Sequence, residues 1–147
     1  MQRTLAIIKP DAVGRRLVGS IVRRIEAEEF RIAAMRLVRL TRREAAAFYD
    51  VHRDKPFFDS LTEFMSSGPA VVLALEASDA IARWRRVMGA TNPGAAERGT
   101  LRHEFGTSIE HNATHGSDAP DTAAVELAFF FRGVEFARPD GRASGAA

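Results

Sequence analysis

The sequence predicts an α+β domain in which a four-stranded antiparallel sheet carries helices on one face. Three observations support this prediction: apolar runs typical of buried strands alternate with amphipathic helices, short turns separate them, and one long stretch without periodicity precedes the last strand. The chain has 147 residues, 46% of them hydrophobic, and this length suits one compact domain with one core.

The first half of the chain begins with an apolar run over Thr4–Lys9, which is predicted as a buried strand. Apolar residues then recur at helical spacing over 17–25, opposite arginines and glutamates, and this pattern predicts an amphipathic helix packed on the sheet. Arg31–Leu40 mixes apolar residues with arginines and is predicted as a strand with a partly solvated face. Thr41 suits the N-cap of a helix over 42–49.

The middle of the chain supplies the third strand. A polar connection leads into a short predicted helix over Phe57–Met65. Ala70–Leu75 is the most uniformly apolar run and predicts a buried strand. Either Ser78 or Asp79 can cap the helix that follows, and Gly89 ends that helix.

The stretch over 90–114 has no sustained periodicity, and a loop of this length inside a compact domain is most often functional. A short strand is expected near Thr114–Gly116 and a last helix over Asp121–Phe131. Without the small helices the order is β-α-β-β-α-β, the ferredoxin-like pattern, with a helical insert between the second and third strands. Residues 1–131 are predicted to form a single domain and residues 132–147 a polar C-terminal tail.

Composition excludes several classes of function. The chain has no cysteine, so disulfides, thiolate catalysis and cysteine-ligated metal sites are excluded, and a reducing cytoplasm suits it. No apolar run approaches the roughly 20 residues of a membrane span, and the first residues do not resemble a signal peptide. The formal charge is +2, from 21 basic and 19 acidic residues, which is too small an excess to indicate nucleic-acid binding.

The common phosphate-binding motifs are absent. Gly14–Ser20 has the spacing of a P-loop, but Ser20 stands where that loop needs its lysine. Neither a GxGxxG fingerprint nor the protein-kinase motifs HRD and DFG occur. A phosphate, if one is bound, must therefore be held in another way.

Asn112–Asp118 is the most informative stretch of the sequence. His115 stands where the long loop meets the short strand, and Gly116 permits close approach of backbone or substrate. A neutral imidazole accepts a phosphoryl group well near neutral pH, provided that a partner on its second nitrogen fixes the tautomer. Glu126 on the last helix is the candidate partner. A lone His-Gly-Ser segment is more often a turn with a solvated histidine.

Phosphoryl transfer also requires fixed cations and hydrogen-bond donors around the transferred group. The candidates are Lys9, Arg85, Arg102, Thr91 and Asn112. Each alone has an ordinary explanation, such as a solvated helix face or a lysine at the end of a strand. Phe57 could stack on a base, although such a phenylalanine is more often part of a core.

Taken together, short segments along the chain match the motifs of one known family, from about Thr4 to Phe131. The matching segments are Thr4–Val13, Phe48–Tyr49, Lys55–Phe58, Phe64–Pro69, Met88–Pro93, Gly99–Thr100, Phe105–Gly106 and Asn112–Asp118. In these segments the chain resembles the nucleoside diphosphate kinases, and the last of them is that family's active-site signature.

The resemblance implies an enzyme that transfers the γ-phosphoryl group of a nucleoside triphosphate to a nucleoside diphosphate. The reaction would be ping-pong, through a phosphohistidine at Nδ1 of His115, with Glu126 orienting the other ring nitrogen and Ser117 supporting Glu126. The implied phosphate- and ribose-binding positions are Lys9, Tyr49, Arg85, Thr91, Arg102 and Asn112. The base would stack on Phe57, in an apolar slot completed by Leu61 and Ile109, with broad base tolerance.

The resemblance also implies Mg²⁺, carried mainly by the nucleotide phosphates and water, with no dedicated metal ligands on the protein. ATP, GTP and other nucleoside tri- and diphosphates would be the partners, in a cytoplasmic homo-oligomer that is a tetramer or hexamer. The sequence departs from the family pattern at Arg98, where proline or alanine is usual, and at His103, where glycine is common. The chain after Phe131 is longer than is typical of bacterial members.

Two non-enzymatic alternatives fit the sequence less well. An RNA binder on a ferredoxin-like sheet would use exposed aromatic residues on its central strands, whereas the strands here carry Leu, Ile, Val and Ala. A catalytically silent scaffold would be expected to lose the histidine or the arginines, and this chain retains His115, Arg85 and Arg102. The enzyme is therefore favoured.

Overall fold

The computed structural model describes residues 1–138, which build one four-stranded sheet with the order β2-β3-β1-β4. Every neighbouring pair is antiparallel. The strands are β1 (Gln2–Ile8), β2 (Arg31–Val38), β3 (Ala70–Ala77) and β4 (Thr114–Gly116). The predicted ferredoxin-like order is confirmed.

Seven helices within residues 1–138 surround the sheet. They are α1 (Pro10–Gly14), α2 (Val18–Ala27), α3 (Arg42–Phe48), α4 (Phe58–Met65), α5 (Ala80–Met88), α6 (Leu101–Phe105) and α7 (Pro120–Phe130). Single 3₁₀ turns occupy Asp50–His52, Pro93–Ala95 and Gly133–Glu135. No helix in this part of the chain combines the length and apolar character that crossing a membrane demands.

Both faces of the sheet are covered. Ala6 and Ile8 of β1 pack in one core with α2 and with Trp84 of α5. The two crossover helices, α2 and α5, therefore lie on one face of the sheet, as predicted. Leu5 and Ile7 point to the other face, where α3, α4 and α7 form a second core. The sequence pattern did not predict this second layer. It explains why all eight residues of β3 are buried, since neither side of that strand meets water.

Helix capping follows the prediction in one place and not in another. Thr41 and Glu44 form a reciprocal capping box at the start of α3, with hydrogen bonds of 3.1 and 2.9 Å, as the N-cap prediction required. At α5 the predicted cap is wrong, because Asp79 adopts a left-handed conformation and its side chain caps nothing. The Ile81 amide donates instead to Oε1 of Gln2, at 2.9 Å.

The stretch over 90–114 is more ordered than a plain loop. It contains the Pro93–Ala95 turn and α6, whose five residues are too few to show helical periodicity in the sequence. Gly89 begins this stretch with φ +85°, and a Cβ there would collide with the side chain of Thr100, the N-cap of α6. Glycine is therefore required at this corner by both conformation and space.

The end of the described chain runs along β2. The Ala137 amide donates to the Ala33 carbonyl at 2.6 Å, and Arg36 donates to the Phe130 carbonyl at 2.6 Å. Phe136 packs against the second core beside Phe131, with 5.8 Å between ring centroids. Of the predicted tail, residues 132–138 lie here, and residues 139–147 lie outside the described part.

Candidate active site

A cleft of about 350 Å³ opens beside the end of β1 and the start of β4, where the stretch over 90–114 folds back on the sheet. All of the predicted site residues except Ser117 and Glu126 line it: Lys9, Tyr49, Phe57, Leu61, Arg85, Thr91, Arg102, Ile109, Asn112 and His115. The remaining lining residues are His52, Glu110, Thr114, Gly116 and Asp118, and none of them is among the predicted site residues.

His115 is held at the centre of β4, opposite Ile7 of β1. Trp84 Nε1 donates to the His115 carbonyl at 3.2 Å and fixes the backbone from below. The imidazole is 20% exposed, and the rings of Phe48 and Tyr49 meet it edge-on, at 5.6 and 6.2 Å between centroids. The ring is therefore confined in orientation yet open to the cleft.

The Nε2 atom of His115 lies 3.1 Å from Oε2 of Glu126. Because a carboxylate accepts, Nε2 carries the proton, and Nδ1 has no hydrogen-bond partner among residues 1–138. Burial alone raises the pKa of Glu126, but the hydrogen bonds from His115 and from the Ser117 hydroxyl outweigh burial, so that pKa is lowered. Glu126 is thus the ionised acceptor behind the ring.

Ser117 anchors Glu126 to the sheet. Its hydroxyl donates to Oε1 of Glu126 at 2.6 Å and accepts from the Leu5 amide at 3.2 Å. The Ser117 amide donates to the Leu5 carbonyl, also at 3.2 Å. A continuous chain of hydrogen bonds therefore runs from the β1 backbone through Ser117 and Glu126 to the imidazole of His115.

Lys9 follows β1 and is buried in the cleft wall. Its Nζ donates to Oδ1 of Asn112 at 2.8 Å and to the Glu110 carbonyl at 3.2 Å. Burial, and then repulsion by Arg102, lower the pKa of Lys9 from 10.5 to about 8. The Asn112 amide nitrogen donates in turn to the Thr91 carbonyl at 3.0 Å, so Lys9 and these three residues form one network.

Arg102 lies in α6 and is also buried. Its two terminal nitrogens donate to the carbonyls of Gly89 and Thr114, each at 2.9 Å, while the buried Nε has no partner in the described chain. Burial, and then repulsion by Arg85, lower the pKa of Arg102 to about 10. Arg85 itself is exposed and forms an ion pair with Asp118 at 2.5 Å.

The residue before β4 has a left-handed backbone conformation, which directs the strand towards the cleft. Ala113 has φ +72°, and its amide donates to Oδ2 of Asp11 at 3.1 Å, while its carbonyl accepts from the Lys9 amide at 2.9 Å. Such a conformation costs of order 1 kcal/mol or more in a residue other than glycine and persists only where neighbours enforce it. The sequence hypothesis overlooked Asp11, although Asp11 lies in the Lys-Pro-Asp segment that carried part of the resemblance.

The other end of the cleft is apolar. Phe57 is 47% exposed and Ile109 is 61% exposed, and Leu61 lies on the same wall as Phe57. The His52 ring stacks on Tyr49 at 6.4 Å and lies 5.5 Å from Phe57. The sequence offered no signal for His52, which stands in a polar connection between two helices.

The cleft thus combines the His115 imidazole, whose Nδ1 has no partner within residues 1–138, with three cationic side chains and an apolar slot. Cations at fixed positions suit a phosphate chain, and an exposed aromatic ring suits a flat base. A ferredoxin-like sheet that presents a histidine to such a cleft defines an enzyme that transfers phosphoryl groups.

The family model of nucleoside diphosphate kinase matches residues 2–136, and the chain belongs to this family. A nucleoside diphosphate kinase of Desulfosudis oleivorans is 57% identical over 135 residues, covering 92% of this chain and 97% of the relative. The corresponding protein of Syntrophotalea carbinolica is 58% identical, covering 92% of this chain and 98% of the relative.

Solved structures agree in fold. The Aquifex aeolicus nucleoside diphosphate kinase superposes with a TM-score of 0.91 at 44% identity, covering 92% of this chain and 98% of that chain. A halophilic nucleoside diphosphate kinase from Halobacterium salinarum, solved in complex with CDP, superposes with a TM-score of 0.91 at 38% identity. The match covers 95% of this chain and 93% of that chain.

These relationships establish what the chain does. It transfers the γ-phosphoryl group of a nucleoside triphosphate to a nucleoside diphosphate, acts on nucleotides and uses a divalent cation, as its family does. The predicted enzyme is confirmed, and the RNA binder and the silent scaffold are set aside.

Proposed function

We propose that His115 is the phosphoryl carrier of a ping-pong reaction and that the other predicted site residues hold the nucleotide against it. One observation carries the proposal: Glu126 engages Nε2 from behind, and Nδ1 has no partner within residues 1–138 and lies beside a cleft that Lys9, Arg85 and Arg102 line.

In the first half-reaction the lone pair of Nδ1 attacks the γ-phosphorus of the triphosphate. The N–P bond forms as the bond from that phosphorus to the β,γ-bridging oxygen breaks, and the diphosphate leaves with the bridging electrons. The imidazole gains positive charge, which the ionised Glu126 stabilises through Nε2–H, much as an acid partner does for other catalytic histidines. A second diphosphate then enters and attacks phosphohistidine by the reverse path.

The phosphates would lie among Lys9, Arg85 and Arg102, which stabilise charge on the transferred group. Two buried polar atoms support a ligand here, because the Tyr49 hydroxyl and Arg102 Nε have no partner within residues 1–138. Thr91 and Asn112 add neutral polar groups at the same wall. Arg85 can exchange its exposed partner Asp118 for a phosphate, since an exposed ion pair stabilises by only about 0–1 kcal/mol.

The base would stack on Phe57, between Leu61 and Ile109. These apolar walls do not read the edge of a base, which supports broad tolerance for ATP, GTP and other nucleoside tri- and diphosphates. The Halobacterium salinarum relative was solved with CDP, a pyrimidine diphosphate, and that also supports a slot of this kind.

We also infer that the divalent cation is Mg²⁺, carried mainly by the nucleotide phosphates and water. Residues 1–138 contain no group of three or more His, Asp or Glu side chains that could hold a metal ion. Asp118 at the cleft edge is one carboxylate that could face the ion, and Mg²⁺ is commonly held by phosphates with one or two carboxylates. When bound, the ion neutralises charge on the phosphates. Chelation by EDTA should abolish labelling of His115, and added Mg²⁺ should restore it.

A homo-oligomer, either a tetramer or a hexamer, is part of this proposal, as is a cytoplasmic location. Met35 and Leu37 are exposed on β2, an edge strand, and such a surface suits docking of a second copy. Light scattering on the purified protein should give four or six times the mass of 16.1 kDa, and a monomer would contradict the assembly. The location rests on the absence of cysteine, and cell fractionation tests it.

The central experiment is labelling with γ-labelled ATP and Mg²⁺. The chain should acquire an acid-labile, base-stable phosphate, and His115→Gln should abolish it while the circular dichroism spectrum stays unchanged. His103→Gln, an exposed histidine in α6, serves as the matched control and should label normally. Normal labelling of His115→Gln would remove His115 as the carrier.

A further inference from the structure

The two walls of the apolar slot belong to separate segments. Phe57 and Leu61 stand at the start of α4 and within it, whereas Ile109 stands in the loop 107–111. The distance between these walls sets the room for a base. Contacts that join α4 to the loop therefore control the width of the slot.

Two side-chain contacts join the walls. Ser60 Oγ donates to Oε1 of Glu110 at 3.0 Å. One turn further along α4, Phe64 stacks on His111 with 4.2 Å between ring centroids and 19° between ring planes. No other hydrogen bond or aromatic contact links α4 to the loop within residues 1–138.

Hydrogen bonds within the loop hold its shape. The Thr107 amide donates to the His111 carbonyl at 2.8 Å, and the His111 amide donates to Ser108 Oγ at 3.0 Å, so the loop is closed on itself. Its inner edge is tied to the phosphate end of the cleft, because the Glu110 carbonyl accepts from Lys9 Nζ at 3.2 Å. A link from this loop to α4 thus connects the base slot to the Glu110–Lys9 contact at the phosphate end of the cleft.

We propose that the Ser60–Glu110 hydrogen bond and the Phe64–His111 stack form a latch that sets the width of the nucleoside slot. Ser60 and His111 are positioning residues, which act through Phe57, Leu61 and Ile109 and touch no reacting atom. The latch governs how tightly the nucleoside is bound and leaves phosphoryl transfer from bound nucleotide unchanged. The inference rests on the proposed nucleotide site.

The test is single-turnover phosphorylation of the enzyme by γ-labelled ATP over a range of ATP concentrations. This half-reaction separates the half-saturating concentration from the limiting rate. In the double variant Ser60→Ala/His111→Ala we expect half-saturation to rise by about fivefold, since the nucleotide must then order the slot as it binds. The limiting rate should stay within about twofold, because His115 and its partners are untouched.

A competitor without a nucleoside provides the readout that general loosening of the fold would not reproduce. Inorganic tripolyphosphate should inhibit the double variant and the unmodified enzyme at the same concentration. Ser60→Thr keeps the hydroxyl and His111→Phe keeps the aromatic stack. A variant with these two changes should therefore have the same half-saturating ATP concentration as the unmodified enzyme. Ser67→Ala is the matched control, because its exposed hydroxyl bonds only to the nearby Phe64 carbonyl at 2.6 Å.

Unchanged half-saturation in the double variant, with normal labelling of the unmodified enzyme and of Ser67→Ala, would overturn the latch alone. A parallel weakening of tripolyphosphate inhibition would also overturn it, because the effect would then not belong to the nucleoside slot. Failure of the unmodified enzyme to label at His115 would overturn the proposed function and the latch with it. Ser60 and His111 are both exposed, so the fold should survive their truncation.

Discussion

Glu126 stands 3.1 Å from Nε2 of His115, on the side of the ring away from the cleft. Its other oxygen is held at 2.6 Å by Ser117, which is itself bonded to the backbone of β1. The carboxylate therefore cannot follow the ring if the ring turns. This arrangement places the proton on Nε2 and leaves Nδ1 without a hydrogen-bond partner within residues 1–138.

Replacing Glu126 by alanine should lower turnover by about 100-fold, because the imidazole loses both its fixed tautomer and the charge that stabilises the phosphorylated ring. Steady-state transfer from ATP to a second nucleoside diphosphate measures the effect. Glu126→Gln should retain more activity, since its carbonyl oxygen can still accept from Nε2. Equal losses in the two variants would show that hydrogen-bond orientation contributes nothing.

Removing the Arg102 side chain should lower turnover by about 100- to 1,000-fold, as loss of a fixed donor to a developing charge does elsewhere. Added guanidinium should restore part of the activity to Arg102→Ala, because the cavity it leaves is flanked by the Gly89 and Thr114 carbonyls. Arg98→Ala, a change at an exposed loop arginine, is the control and should be close to normal. A near-normal rate for Arg102→Ala would exclude Arg102 from the site.

The lowered pKa of Lys9 predicts a pH dependence of binding. Its folded-state pKa of about 8 lies below the ordinary 10.5, so Lys9 loses its charge as pH rises through about 8, and kcat/KM should fall there. Lys9→Arg should move this descending limb to higher pH, whereas Lys55→Arg, an exposed lysine, should leave it in place. A pH profile identical for all three proteins would contradict the assignment.

The same pKa shift has an opposite effect on the stability of the nucleotide-free protein. Between pH 8 and 10.5 the unfolded chain binds a proton at Lys9 that the folded chain has released, so the Lys9 contribution to the free energy of unfolding rises with pH. Below about pH 8 both states are protonated, and the cost of burying the charge is fully present. Denaturant titrations at several pH values in this window give the free energy of unfolding of the unmodified protein and of Lys9→Met. With rising pH this free energy should increase more for the unmodified protein than for Lys9→Met.

Phe57→Ala should raise KM for every nucleotide, because stacking of a base on an aromatic ring stabilises binding by about 1–3 kcal/mol. Since Phe57 is 47% exposed, the melting temperature should change little. Steady-state measurements with ATP, GTP and a pyrimidine nucleotide test both points. A loss restricted to one base would show that the ring reads base identity.

Gly116→Ala should destabilise the protein and disturb the site together. A Cβ at this position would lie 2.5 Å from Trp84 Cδ1 and 2.6 Å from Met88 Cε, and the buried indole cannot move away. Overpacking of this kind costs about 1–3 kcal/mol, which thermal unfolding would detect as a lowered melting temperature. Unchanged stability and activity would mean that β4 can shift without disturbing His115.

Local patterns in the sequence were sufficient for much of this molecule. Strand positions and the longer helices followed from apolar periodicity, the start of α3 from Thr41, and the position of His115 where the long loop meets β4 from Asn112–Asp118. Each of these features depends on residues within a few positions of one another, where spacing along the chain translates directly into geometry.

Other features depend on which distant segments pack together, and periodicity does not encode that. Lys9 meets Asn112 across 103 positions, Gln2 caps a helix 79 positions away, and Ser60 reaches Glu110 across 50. Strand register and helix docking on both sheet faces bring these pairs together. The orientation of the His115 ring is of this second kind, because Glu126 lies behind the ring only once α7 has docked on the sheet.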